Sequence, residues 1–479
     1  METLHELINN ISGFFWTYII IWALIGLGVF FTLRTKLVQL KMLPEMFKLI
    51  TGKSGRTSTG KEISGFQAFC VSTASRVGVG NIAGVAIAIV TGGPGAVFWM
   101  WLIAFIGAST GFVESTLAQI YKLPKKGGGF HGGPAYYIKN ALNQPKVAKL
   151  FAILISVTFG LIYASVQANT ITLSLETAFN IPNYAVATVL VIMTAAVISG
   201  GMRRIATFTS FLVPIMAGIY ILASLYVILI NIDKVPAMFA LIVHDAFTPQ
   251  AAVGGGLGSV FMTGIRRGLF SNEAGEGSVP NAAATAGGKH PVRQGLIQSF
   301  GVYVDTWFIC TATAFTVLIT SQYEIGGSLT GIALAQQSFA TVFGSVAPIM
   351  LSLIVFLFAF SSIVGNYYYG EVNIPFFQGD ESGEQPSIIA RNALSIYRVF
   401  VVLMVAFGCF AELNFVWDAA DLFMGFLALT NLYAIARLGK YAFIALEDYI
   451  AQKNSGVEEP VFNPSIIPDM RGIHAWGKE

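Results

Sequence analysis

Residues 70 to 84 read Cys-Val-Ser-Thr-Ala-Ser-Arg-Val-Gly-Val-Gly-Asn-Ile-Ala-Gly, inside an apolar stretch long enough to cross a bilayer. Arg76, Gly78, Gly80 and Asn81 stand in its middle. Each glycine weakens a helix by about 1 kcal/mol relative to alanine. An arginine at bilayer depth costs ~2.5 kcal/mol or more. A plain lipid anchor has no use for either. A helix interrupted at the midplane does, because its freed backbone groups line a cavity and act as ligands.

A span requires about 20 apolar residues. The chain offers eleven: 14–33, 63–90 with the interruption, 96–121, 150–175, 183–199, 205–230, 251–269, 292–320, 346–366, 393–410 and 419–436. Only 11% of the 479 residues are charged, against about 25% in soluble domains. The chain therefore reads as an all-α polytopic membrane protein with eleven transmembrane helices. With the N-terminus outside, segments 34–62, 122–149, 200–204, 266–293, 367–398 and the tail lie inside and hold 26 of the 28 Lys and Arg. Lys234 alone falls in an outer loop, and Arg76 lies in the membrane. The positive-inside rule then places the N-terminus outside and the C-terminus in the cytoplasm, in a plasma membrane. Cys70, Cys310 and Cys409 lie in apolar stretches without ligand spacing and read as reduced packing residues. The N-terminus has no basic region or cleavage pattern, so no removable signal peptide is expected.

Without the first span, ten remain, in two sets of five. The lead span of the second set carries Val253-Gly254-Gly255-Gly256-Leu257-Gly258-Ser259. Five is odd, so the sets insert in opposite orientations. Paired interrupted leads in inverted halves point to the midplane site of a secondary transporter. The expected organisation is an N-terminal helix (1–33), a cytoplasmic linker (34–62), a first repeat (63–230), an extracellular loop (231–250), a second repeat (251–436) and a cytoplasmic tail (437–479). Residues 55–61 echo a phosphate loop, but Glu62 stands where a magnesium-binding Ser or Thr is needed. No H-E-x-x-H, G-x-S-x-G or zinc spacing occurs. A channel would repeat a filter around a symmetric oligomer. Neither an enzyme, a nucleic-acid partner nor an obligate protein partner is expected; the lipid bilayer is.

Residues 92–107, Gly-Gly-Pro-Gly-Ala-Val-Phe-Trp-Met-Trp-Leu-Ile-Ala-Phe-Ile-Gly, resemble the signature of the sodium:alanine symporter family, within the amino acid–polyamine–cation superfamily. So do Gly78 to Ala86, Gly132 to Ile138, Val166 to Asn169, Gly268 to Gly275, Val304 to Thr306 and Tyr367 to Glu371. The resemblance implies the leucine-transporter-type five-plus-five inverted repeat with one extra N-terminal helix. It also implies sodium-coupled import of small neutral amino acids, alanine or glycine, by alternating access and with no other cofactor. Proton coupling is the alternative driver, and an ion channel a remote one. Two positions depart from the family: Val79 stands for its threonine, and Asn366 for a frequent tryptophan that walls the substrate pocket. Trading an indole for a carboxamide frees volume and adds a donor and an acceptor, so glutamine becomes a candidate substrate.

The amides around Gly78, Val79 and Gly80 are expected to take a substrate carboxylate, with Asn81 the nearest side chain. Carbonyls at Gly254, Gly255, Gly256 and Gly258 are expected to take the ammonium. The resemblance puts Gln167 at the pocket; an interhelical hydrogen bond is its other reading. The resemblance likewise suggests a sodium site from the carbonyls of Ala74, Val77 and Ala359 with the hydroxyls of Ser361 or Ser362. Arg76 requires a partner, with Asp305 expected over Glu114, whether the pair serves function or only holds the bundle. Glu273 is expected to cap or brace an inner gate.

Overall fold

The structure, a computed structural model, describes residues 2–52, 62–125, 128–248, 259–377 and 388–476. Its principal helices are α1 (His5–Arg34), α2 (Gly65–Arg76), α3 (Ala83–Gly92), α4 (Ala96–Ile120), α5 (Pro145–Phe179), α6 (Asn183–Ile198), α7 (Gly201–Ile230), α8 (Val235–Ala246), α9 (Ser259–Asn272), α10 (Val279–Thr285), α11 (Val292–Thr320), α12 (Gly331–Phe343), α13 (Ala347–Asn373), α14 (Ile388–Gly408) and α15 (Leu413–Asn454). A short hairpin, β1 (Leu123–Pro124) and β2 (Phe130–His131), follows α4. Among the described residues, seven helical stretches are long and apolar enough to cross a bilayer. This is a polytopic all-α membrane protein. Helices α8 and α12 occupy segments that hydropathy assigns to outer loops. α15 runs for 42 residues, about 63 Å at 1.5 Å per residue, which is twice the ~30 Å hydrocarbon core.

The first lead helix is interrupted where the sequence places the break. Ser64 starts α2 with a capping box: it accepts the Gln67 amide at 3.1 Å, and Gln67 Oε1 accepts the Ser64 amide at 2.9 Å. The helix stops at Arg76, a single 3₁₀ turn spans Val79–Asn81, and α3 resumes at Ala83.

The second lead is interrupted too, between α9 and α10. Gly254, Gly255, Gly256 and Gly258 fall outside the described residues. The break observed is between Asn272 and Val279, where Glu273, Gly275 and Gly277 have φ of 57°, 100° and 78°. Left-handed residues end helices, and glycine adopts them without a Cβ clash. Glu273 has no such freedom. Its carboxylate is held by hydrogen bonds from Ser75 and Ser278, which fix the residue in place. It therefore sits at the buried crossing of the two leads.

The leads run antiparallel and touch at two levels. Ile63 bridges Ala286, and the Gly287 amide donates to the Ile63 carbonyl at 3.0 Å. Gly80 faces Phe270 and Ser271 in the middle. Beyond α3, Asp245 of α8 accepts the Gly95 amide at 2.7 Å.

A correction concerns charge. Arg266 and Arg267, expected in an inner segment, lie within α9. Flanking Gly264 and Gly268 pack on Ala96, Trp99, Met100 and Ile103, at the start of α4 and away from the Lys122 end. Hydropathy reads two arginines as the end of a span. The fold buries Arg267 because Asp421 pairs with it and Trp417 offers its ring face at 4.8 Å.

Beyond α15 the tail crosses back over the Lys122 end. The Phe462 amide donates to the Lys289 carbonyl and Trp476 Nε1 to the Gln119 carbonyl, both at 2.9 Å. Rings of Phe130 and Trp476 cover the Lys122 ammonium at 4.0 and 4.6 Å. His290 is enclosed by the rings of Tyr449 and Phe462 and reaches Asp448 at 3.1 Å. Burial pushes His290 down to about 4, with Asp448 opposing. The unfolded chain takes up this proton near 6.5 and the folded one does not, so stability falls as pH drops from 6.5 towards 4. Thermal melts of the purified protein across that range should show a falling midpoint, with a shallower slope in His290→Phe. An unchanged slope in the variant would refute the assignment.

Candidate functional site

Polar side chains hold the two interruptions against each other. Asn81 Oδ1 accepts the Gly78 amide at 2.9 Å, and its Nδ2 donates to Asp305 Oδ1 at 2.6 Å and Ser271 Oγ at 3.0 Å. Asp305 Oδ2 accepts from Ser271 and Thr306 at 2.7 and 2.8 Å. Ser75 Oγ lies 2.6 Å from both Glu273 Oε1 and Asn366 Oδ1. One hydroxyl proton cannot serve both. With the Asn366 carboxamide turned over, its otherwise unpartnered Nδ2 donates to Ser75, and Ser75 donates to Glu273. Glu114 braces the second break, accepting the Gly275 amide at 3.2 Å and Asn431 Nδ2 at 2.7 Å.

At the first break, the Val79 amide donates to Gln167 Oε1 at 3.1 Å. Rings close round this point. Phe270 packs on Gly80 and Trp417 on Gly84, where an added Cβ would lie 2.9 and 3.3 Å from the respective ring. Tyr163 and Trp417 each lie 4.7 Å from Phe270, centroid to centroid. These three aromatics have no sequence signal of their own, because aromatic residues recur in every apolar stretch. Tyr163 ends a π-helical turn, Thr158–Tyr163, and Asp305 lies in another, Tyr303–Cys310. A π turn shifts the helix phase, which hydropathy cannot register.

A knot of oxygens lies on the other side of the first break. Ser362 Oγ is 2.9 Å from the Ala74 carbonyl, 3.1 Å from that of Ser75 and 3.4 Å from that of Val77. Ser361 Oγ is 3.5 Å from the Ala74 carbonyl and donates to the Phe358 carbonyl at 2.8 Å. Ala359 is buried on the same helix. Carbonyl and hydroxyl oxygens suit a hard cation. Among the described residues no group of three or more His, Cys, Asp or Glu could hold a metal.

Arg76 does not pair with Asp305. Its Nη1 donates to the Gln298 carbonyl at 3.1 Å, beside Gly301, and Nε and Nη2 have no partner among the described residues. Asp305 is taken by Asn81, Ser271 and Thr306, and Glu114 by Gly275 and Asn431. Asp305 thus ties the two leads together through uncharged donors.

Residues 1–464 match the sequence profile described as the sodium:alanine symporter family. The chain is 46% identical over 476 residues to a Bacillus subtilis protein named probable sodium/glutamine symporter GlnT, covering 99% of this chain and 96% of that one. It is 46% identical over 475 residues to amino-acid carrier protein AlsT of the same organism, with 99% and 98% covered. Sodium/alanine symporter AgcS of Methanococcus maripaludis is 36% identical over 440 residues, with 90% and 94% covered.

A methyl group at position 78 would meet Ser362 Oγ and lie 2.9 Å from Gln167 Oε1. Gly78→Ala should therefore destabilise the protein by about 1–3 kcal/mol, the usual range for overpacking. The loss should be smaller in a Ser362→Ala background, measured by chemical or thermal unfolding. Strictly additive losses would exclude the contact.

Proposed function

The chain belongs to the sodium:alanine symporter family, and on that footing we propose that it is a sodium-coupled symporter of small neutral amino acids working by alternating access. The observation that carries this reading is the Val79 amide, bonded to the Gln167 side chain at a buried helix interruption whose Gly80 and Gly84 pack against Phe270 and Trp417. In this reading the protein has eleven spans, an inverted repeat of five plus five helices, and a tail in the cytoplasm of a plasma membrane. The antiparallel leads meeting at Gly80 and Phe270 support the repeat. The family is one of transporters, and no chemical step is assigned.

A substrate carboxylate takes the amides of Gly78, Val79 and Gly80, replacing Gln167 Oε1 on Val79. The ammonium lies towards the carbonyl end of α9, where the helix dipole is negative. Sodium takes the carbonyls of Ala74, Val77 and Ala359 with the hydroxyls of Ser361 and Ser362. No carboxylate belongs to that set, which favours sodium over protons. The ion would join α2 to α13, so ion and substrate stabilise the same closed arrangement and each raises the affinity for the other. Asn366, at the Ser75–Glu273 contact, supplies a carboxamide where a bulky indole would exclude a long polar side chain. Glutamine is therefore the leading substrate, beside alanine and glycine.

Proteoliposomes with an inward sodium gradient should accumulate labelled alanine, and exchange of external sodium for potassium should abolish this. Ser362→Ala should raise the half-saturating sodium concentration about tenfold, equivalent to ~1.4 kcal/mol. An unchanged sodium dependence would remove Ser362 from the ion site. Excess glutamine should inhibit alanine uptake, and Asn366→Trp should relieve that inhibition while alanine transport persists. Failure of glutamine to compete would remove it as a substrate.

A further inference from the structure

One turn ahead of Phe270, on the side of the crossing opposite the tail, two arginines converge on one buried acid. Arg267 Nη2 is paired with both oxygens of Asp421. Arg266 Nη1 is 3.9 Å from Asp421, and the Arg266 guanidinium covers the Trp16 ring at 5.2 Å. The next acid, Asp418, is bonded to His5 at 2.6 Å. Two guanidiniums thus share one carboxylate, leaving a surplus of positive charge in a dry place. The surplus has direction. Arg267 Nη1, Arg266 Nε and Trp417 Nε1 are buried and have no partner among the described residues. Arg267 and Trp417 are each only 5% exposed. An unmade hydrogen bond on a buried charged donor is costly, so half of the Arg267 fork is free to take an anion.

Its position identifies the anion. The Arg267 guanidinium lies over the rings of Trp417 and Phe270, at 4.8 and 5.8 Å. Those rings pack on Gly84 and Gly80 of the first interruption. One aromatic layer therefore separates the free donors of Arg267 from the amides assigned to the substrate carboxylate. We propose that Arg267 Nη1, with Trp417 Nε1, forms a second carboxylate-binding point that receives the amino acid from outside before the Phe270–Trp417 layer parts. Asp421 competes with the arriving carboxylate for the same guanidinium, which keeps this first binding weak and releases the substrate onward. The inference rests on the amino-acid transport reading and on the tail lying inside.

The test is the KM for external alanine in proteoliposomes, with correctly sized protein confirmed by gel filtration. Arg267→Gln should raise KM about tenfold, the loss of one charge-assisted hydrogen bond, with maximal rate and sodium dependence near the unmodified values. Asp421→Asn should lower KM or leave it unchanged. A purely structural pair predicts instead that both variants lose maximal rate alike, and that result overturns the proposal. A second arm uses Arg267→Cys. An ethylammonium methanethiosulfonate reagent should restore much of the KM, and the neutral methyl reagent should not; equal restoration by both also overturns it. Replacing chloride by gluconate should change nothing. A chloride effect that Arg267→Gln abolishes would assign the site to chloride and overturn the substrate carboxylate. Absent uptake by the unmodified protein defeats the transport reading, whereas unmodified-like KM in Arg267→Gln defeats this one.

Discussion

A backbone amide or carbonyl released inside a bilayer must find its partner within the protein, and the centre of this molecule is built to meet that demand twice. At the first break Asn81 caps the Gly78 amide and Gln167 the Val79 amide, while Ser362 and Ser361 gather the released carbonyls. At the second break Glu114 and Asn431 take the amide and carbonyl of Gly275. The two breaks then become each other's support, through Ser75 to Glu273 and through Asn81 to Ser271 and Asp305. Removing any of these groups leaves a buried polar atom unpaired, which costs more than the bond itself contributes. Two unwound turns can therefore persist at a depth where a lone one could not.

The same economy of partners governs the buried charges. Asp305 and Glu114 are acids buried in the core, yet their direct partners are a backbone amide, two hydroxyls and the carboxamides of Asn81 and Asn431. Among the described residues Arg76 donates to the Gln298 carbonyl alone, and Arg267 keeps Asp421 on one side of its fork. Charges half-satisfied by neutral groups are suited to rearrangement, since at Arg76, Asp305 and Glu114 no ion pair has to be broken before a helix moves. At the tail-covered face the arrangement is different. There Lys122 and His290 are enclosed by rings and by the returning chain. That closure joins the end of α4, the end of α10 and the tail into one lid over the crossing.

The candidate site was legible where chemistry and hydropathy conflict. Arg76, Gly78, Gly80 and Asn81 betray the first break because nothing else accounts for them in an apolar run. Gln167, Ser361 and Ser362 stand beside it as expected. The break at Glu273 to Gly277 went unread, and the expectation at Gly254 to Gly258 falls outside the described residues. Gly254 to Gly258 drew the eye as a glycine run, while the turn at Glu273 to Gly277 has glycines at alternate positions and a glutamate forced to positive φ. Arg266 and Arg267 misled in the same manner, since a hydropathy window cannot know that Asp421 and Trp417 await them. The partner of Arg76 was equally hidden, because the phase of α11 at Asp305 is set by a π turn.

Periodic apolar stretches, their lengths and the basic segments between them are local properties. For that reason the amino-acid sequence alone determined that this is an all-helical membrane protein with a broken helix at its heart. Which polar groups meet depends on residues 34 to over 300 positions apart, as in Ser271 with Asp305, Ser75 with Glu273 and Glu114 with Asn431. Those meetings follow from how helices pack and where their phase slips, and only the tertiary structure decided them.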